Sequence, residues 1–279
     1  MKNAEKQLSY AHSLETPDHK IVYIPEGSDV AIWGSNIQGR LALGYYMAYK
    51  TTKNDMYLRW AEDALEAFLE MPRSEVQLGD RTFFLFRYTP DSSAQVDPNQ
   101  QATIGLTMTL FYHEPKSRYY LDANMRAVAL ENLDSSISLM TPDGRLPLAQ
   151  EEFYIHQFDT RYGSFTLFKL SWANQFWKEL RYEEALRRSV PWLDEITRAG
   201  ISLRYYPEFY SGPPPDPAEL WWRLPVMYYF GGDMVALQIE LDKSFEQWLN
   251  FADIPDHWST PFVVFKEMGI PHEVYLGLQ

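Results

Sequence analysis

GSNIQGRLALGYYMAYKTTKNDMYLRWAEDALEAFLEM (Gly34–Met71) holds in one stretch a polar, Gly-containing start, an apolar aromatic segment, the charged turn TTKND and an amphipathic segment that opens on Tyr57. The order returns in DPNQQATIGLTMTLFYHEPKSRYYLDANMRAVALENLDSSI (Asp97–Ile137) and in DTRYGSFTLFKLSWANQFWKELRYEEALRRSVPWLDEI (Asp159–Ile196). Tyr119 and Tyr182 take the place of Tyr57, and successive units lie about 62 residues apart. A repeat of this period marks one supersecondary unit that buries its apolar face by stacking on its neighbours. Leu41, Tyr45, Ala48 and Tyr49 share one helical face, and Trp60, Ala64, Ala67, Phe68 and Met71 share another. Each unit therefore reads as a helical hairpin. The three Tyr are expected in the first turn of the second helix. Leu41, Ala64, Leu106, Ala127, Leu170 and Leu186 are expected in the core.

Outside the repeats, Lys2–Leu14 predicts a short leading helix, and Lys20–Ile24 has strand character. Arg81–Pro90 follows a Gly79-Asp80 turn signal and predicts a strand or hairpin. Asp97-Pro98 predicts an N-cap and first helical residue. The helices that follow are expected over Asn99–Tyr112 and from near Ser117 to about Leu139. Asp159 or Thr160 caps the third hairpin, whose second helix is expected over Tyr182–Arg198 with a kink at Pro191. A fourth hairpin is expected from Glu219–Phe230, the turn Gly231-Gly232-Asp233 and Met234–Asn250. The turns inside hairpins are short. The connections before Gly34, at Pro72–Val96, at Thr141–Phe158 and at Gly200–Pro217 are long, aromatic and irregular. They gather at the opposite end of the stack, where sites are commonly built.

The bulk numbers narrow the function. A formal net charge of -13 opposes a phosphate backbone and anionic lipid. No cysteine means no disulfide, thiolate metal site or thiol nucleophile. The six His form no HxH or HExxH motif, and no GxGxxG, Walker loop or GxSxG elbow occurs. Neither metal nor cofactor is expected. No run reaches the ~18 apolar residues of a membrane span. No apolar leader precedes the first helix, so the sequence as written reads as cytoplasmic, or as secreted or periplasmic if it is trimmed. The nine Trp and nineteen Tyr suit walls that cover flat sugar faces while polar tips hydrogen-bond.

Trp33, Gly34, Asn36, Gln38 and Gly39, the run DPNQQATIGLTMTLFYHEP and DTRYGSF at Asp159–Phe165 resemble the (α/α) toroid families of carbohydrate-active proteins. These include six-hairpin glycosidases, unsaturated uronyl hydrolases and polysaccharide lyases. The helical domain of glucuronyl C5-epimerases is nearest by pattern. The resemblance covers most of Gly34–Asn250, although four hairpins are countable where the toroids have six. It implies an all-α toroid or partial toroid with a small β excursion, in one domain over residues 1–279. It also implies a saccharide ligand.

Glu152-x-x-x-His156-x-x-Asp159-x-Arg161-Tyr162 is the densest reactive cluster. Tyr or His can take the proton beside a uronate carboxylate while Arg neutralises it. His156, Asp159, Arg161 and Tyr162 are therefore the candidate catalytic residues, with an N-cap as the plainer role for Asp159. Arg40, Phe86, Tyr88, Tyr205 and Tyr206 are the candidate substrate-binding residues, with Arg40 expected at the place in the first hairpin that corresponds to Arg161. The expected function is binding or modifying a saccharide, uronate-containing ones included, by lyase, epimerase or hydrolase chemistry. The alternative is a non-catalytic helical-repeat protein that binds a glycan or a partner protein.

Overall fold

The computed structural model describes residues 2–21, 34–150, 158–200, 217–248, 260–271 and 274. The chain forms two compact units: Met1–Val96 with Thr103–Asn132, and Asp97–Ala102 with Leu133–Gln279.

The first unit holds α1 (Lys2–Ser13), the hairpin α2 (Ser35–Thr52) and α3 (Asp55–Leu69), and strands β1 (Arg73–Leu78) and β2 (Arg81–Phe86). It also holds most of α4 (Pro98–His113) and of α5 (Ala123–Ile137). The TTKND turn works through its last two residues. Lys53 adopts a left-handed conformation (φ 59°), and its N–H closes α2 on the Tyr49 carbonyl at 2.7 Å. Asn54 then caps α3 by accepting the Met56 N–H at 3.0 Å. Lys178 (φ 53°) ends the first helix of the third hairpin likewise, its N–H meeting the Asn174 carbonyl at 3.0 Å, although a left-handed non-glycine residue costs about 1–2 kcal/mol. After α4 the left-handed residue is Leu121 (φ 56°), whose N–H reaches back to the Tyr112 carbonyl at 2.9 Å.

Tyr57 and Tyr182 fall in the first turns of α3 and α7 (Leu180–Arg198), as the repeat predicts. Tyr119 does not. Residues 117–121 form a turn of their own, and α5 starts only after Asp122 caps it by accepting the Met125 N–H at 2.8 Å. The later start rotates the helix relative to the expected register. Met125, Val128, Ala129 and Leu133 form its buried side, and Ala127 is exposed rather than in the core. Leu41 is only half-buried, while Ala64, Leu106, Leu170 and Leu186 are fully buried.

An Arg-Tyr pair recurs in each unit. In the first, Arg118 donates to the Glu62 carbonyl at 2.7 Å and pairs with Glu66 at 2.8 Å. In the second, Arg181 pairs with Asp134 at 2.8 Å, and the Tyr182 hydroxyl donates to the same oxygen at 2.9 Å. Each acidic partner lies on the second helix of the preceding hairpin.

The antiparallel β1–β2 hairpin turns at Gly79-Asp80, and Leu78 pairs with Arg81. Its outer edge is closed at Phe84. The Phe84 N–H donates to Glu131 at 2.6 Å, and Arg73 Nε donates to the Phe84 carbonyl at 3.0 Å. The KIVYI strand expectation falls largely outside the described residues.

Glu114 of the first unit lies buried among aromatic hydroxyls. Tyr46 and Tyr49 donate to it at 3.3 and 3.2 Å, and Lys50 lies 3.5 Å away. Burial, with the Glu114 charge beside it, pushes the Tyr49 hydroxyl from 10.0 up to about 12. A folded-state value above the unfolded one means that Tyr49 favours folding below pH 10 and ceases to do so as pH rises towards 12. Denaturant midpoints measured from pH 9 to about 12 should fall across this window. Tyr49→Phe should flatten part of the fall, and an unchanged slope would contradict the assignment.

The second unit packs α6 (Thr160–Trp177), α7, α8 (Pro217–Phe230), α9 (Met234–Trp248) and α10 (Thr260–Glu267) around Leu170, Leu186, Leu193, Leu224 and Phe265. α10 was not expected from the sequence. Asp97 caps α4 by accepting the Gln100 N–H at 3.1 Å, and Pro98 opens the helix. Within the helical core, Arg223 is fully buried. It pairs with Glu219 one turn earlier and donates to Ser164 at 3.2 Å and Thr197 at 3.0 Å.

Candidate functional site

The start of α6 is fixed by Asp159, which is 2% exposed. Its Oδ1 accepts the Tyr162 N–H at 2.8 Å, and its carbonyl accepts the Gly163 N–H at 2.9 Å. Asp159, not Thr160, is thus the cap. Gly163 lets α6 approach α7 closely, because a Cβ there would lie 2.4 Å from the Trp192 ring.

Arg161, Phe165 and Lys169 recur every four residues and so share one face of α6. Trp222 of α8 meets that face. Its ring stacks on Phe165 with centroids 4.3 Å apart and planes 28° apart. The Arg161 guanidinium lies over Trp222, 5.9 Å from its centroid. At the inner end, Lys169 is 1% exposed and places its ammonium 3.5 Å from the Phe165 centroid. The same ammonium donates to Asn99 Oδ1 at 2.7 Å. Arg161, Tyr162, Phe165 and Trp222 are half-buried. A buried cation, two stacked rings and a half-exposed cation therefore form one row.

Beside the row lies a cavity of about 10 Å³, lined by Asn99, Leu146, Pro147, Asp159, Tyr162 and Thr166 among others, with room for about one water molecule.

Asp159, Arg161 and Tyr162 come together in the first turn of α6. His156, Tyr205 and Tyr206 lie outside the described residues. Arg40, Phe86 and Tyr88 belong to the other compact unit. Arg40 is exposed on α2. Phe86 is 1% exposed and packs on Phe68 with centroids 4.4 Å apart, so its ring belongs to the core rather than to a ligand surface. Tyr88 is partly exposed, and its carbonyl accepts the Ser35 N–H at 3.0 Å at the start of α2. Gly34 and Asp159 are equivalent helix caps, each the same distance ahead of its repeat Tyr. Counted from them, Arg40 matches Phe165, and Asn36 matches Arg161. The expected equivalence of Arg40 and Arg161 is off by one turn.

Trp222 and Lys169 are the residues that the sequence reading missed. The WW pair at Trp221-Trp222 and the four-residue spacing from Arg161 were visible, but nothing local says that α8 lies against α6.

Several described carboxylates of this unit have partners. Asp97 and Asp159 cap helices. Asp134, Asp143 and Glu219 pair with Arg181, Arg145 and Arg223. Asp194 accepts the Asp233 N–H at 2.8 Å, and Asp233 pairs with Arg198. Among the described residues, no group of three or more His, Asp or Glu is arranged to hold a metal ion. No described helix is long and apolar enough to cross a membrane.

No protein-family model matches the sequence, and no curated protein does either. Solved structures do match its fold. A GH76 α-mannanase from Bacteroides thetaiotaomicron aligns with a TM-score of 0.56 and 15% identity over 79% of this chain and 60% of its own. A GH76A α-1,6-mannanase from Salegentibacter sp. HEL1_6 aligns with a TM-score of 0.60 and 10% identity over 99% of this chain and 83% of its own. A GH8 protein from Teredinibacter turnerae, solved as a xylobiose complex, aligns with a TM-score of 0.54 and 12% identity over 94% of this chain and 74% of its own. The likeness gives the fold, an (α/α) toroid of helical hairpins. This toroid chain spans three-fifths of the length of the first of these structures. At these identities the likeness establishes the fold and leaves the reaction to the residues.

Proposed function

We propose that this toroid protein is carbohydrate-active and takes its saccharide along the α6–α8 face, with preference for a uronate-containing sugar. The observation that carries the reading is the stacked Phe165–Trp222 pair with Arg161 over the indole. Phe165 is enclosed by Lys169 on one face and Trp222 on the other, so the part of the pair that meets a pyranose is the half-exposed indole beside Arg161. A guanidinium presents five donors in a planar fork and takes a carboxylate in a bidentate pair. Arg161 lies over Trp222, so a sugar ring at the indole brings its carboxylate towards that fork.

Tyr162 follows Arg161 in the same turn. The arrangement fits proton abstraction beside a carboxylate that Arg161 neutralises, which is lyase or epimerase logic. Hydrolysis would instead require two carboxyl groups about 5–9.5 Å apart across the scissile bond. Asp159, the carboxylate in the same turn as Arg161 and Tyr162, is engaged as the helix cap, which favours the first chemistry. The capping role of Asp159 also supports a second reading, a glycan-binding protein that performs no reaction.

Calorimetric titration with neutral and uronate oligosaccharides tests the proposal. The wild type should bind uronates. Arg161→Ala should weaken them about 10- to 100-fold, as expected for a lost charge-assisted pair. Neutral sugars should change far less. No saccharide binding at millimolar concentration would overturn the reading, and so would equal binding by Arg161→Ala.

A further inference from the structure

We infer that Lys169 is a positioning residue for this face. Its buried ammonium fixes both the inner side of Phe165 and the side chain of Asn99, and through Phe165 it sets the plane of Trp222. The part that concerns a bound sugar rests on the saccharide reading above; the positioning itself does not.

The Lys169 ammonium is 3.5 Å from the Phe165 centroid, and the Trp222 centroid is 4.3 Å from it. Two groups so close to one ring, one directly over it and the other stacked, must occupy opposite faces. Phe165 is therefore held between a cation and an indole. A cation over a ring face is attracted by the ring quadrupole, and the attraction grows when water is excluded. At 1% exposure, Lys169 meets that condition. Its hydrogen bonds to Asn99 Oδ1 at 2.7 Å and to the Asn99 carbonyl at 3.3 Å fix where the ammonium sits. They also tie the first turn of α4 to α6, and Asn99 lines the small cavity beside Asp159 and Tyr162. Removing the charge frees Phe165 to turn, and Trp222 with it. A flexible apolar side chain of similar length would fill the space without defining either ring.

This role has a signature that does not depend on any ligand. The near-UV circular dichroism of Trp222, taken as the difference between wild type and Trp222→Phe, reports how firmly the indole is held. Lys169→Met should lose at least about half of that band with the far-UV spectrum unchanged. The chain contains no cysteine, so Lys169→Cys supplies a unique thiol that can be alkylated in the unfolded protein before refolding. Aminoethylation rebuilds a lysine-like amine and should restore the band. Propylation gives nearly the same shape without charge and should not. If Lys169→Met does not fold, Asn99→Ala, which removes the side-chain acceptor of the ammonium, should reduce the same band. A wild-type band in Lys169→Met, in Asn99→Ala when Lys169→Met does not fold, or in the propylated protein would overturn the inference.

Binding forms the second arm. In Lys169→Met, an oligogalacturonate that the wild type binds should be weakened at least about tenfold, and the aminoethylated protein should recover. If the band follows the charge but no sugar binds the wild type, the positioning role stands and the saccharide reading fails. If sugars bind equally to wild type and Lys169→Met, the part of the inference that concerns a bound sugar fails and the saccharide reading stands, while the band alone decides the positioning of the rings.

Discussion

Arg223→Met is expected to lower stability by about 3–5 kcal/mol, because removing one partner of a buried pair leaves the other charge uncompensated. Arg223 and Glu219 are both essentially without solvent. The guanidinium also satisfies Ser164 on α6 and Thr197 on α7, so the variant breaks the polar joint among three helices. Glu219 then loses its guanidinium partner at a buried position. The double variant Arg223→Met, Glu219→Leu removes both charges and should recover most of the loss, since a well-packed apolar pair often equals or exceeds a buried ion pair. Urea denaturation measures both. A single-variant loss below about 1 kcal/mol would mean that the pair is solvated and that the packing of this unit is wrong.

Leu106→Ala should cost about 2–5 kcal/mol, the range for truncating a fully buried leucine without collapse of the site. Residues Ala102–Phe111 of α4 are buried all round, so the cavity has no mobile side chain at hand to fill it. Ala127→Ser on α5 is the control. Ala127 is exposed, and its change should stay within about 0.5 kcal/mol. A loss below about 0.5 kcal/mol for Leu106→Ala would show that the buried face of α4 is misassigned.

The hairpins were legible because their signals are local. Asp97, Asp159 and Asn54 cap helices through their own side chains, and the Tyr that open α3 and α7 lie the same distance after Gly34 and Asp159, the caps of the helices before them. Failures came where tertiary context chose among local options. The Ser117–Leu121 turn delayed α5 and rotated Ala127 outward. Phe86 has the same composition signal as an exposed aromatic, yet it closes the core against Phe68. Arg40 seemed to match Arg161 until both helix caps fixed the count. The site was half legible. Arg161 and Tyr162 stood out as reactive types, whereas Trp222 and Lys169 matter only because α8 and the first turn of α4 meet α6. No residue within α6 announces that contact.

A crystal of the protein soaked with an oligogalacturonate should show a sugar ring against the half-exposed indole of Trp222, with its carboxylate in the fork of Arg161. Sugar bound only elsewhere on the chain, with the Trp222 face empty at saturating ligand, would contradict the saccharide reading of this face.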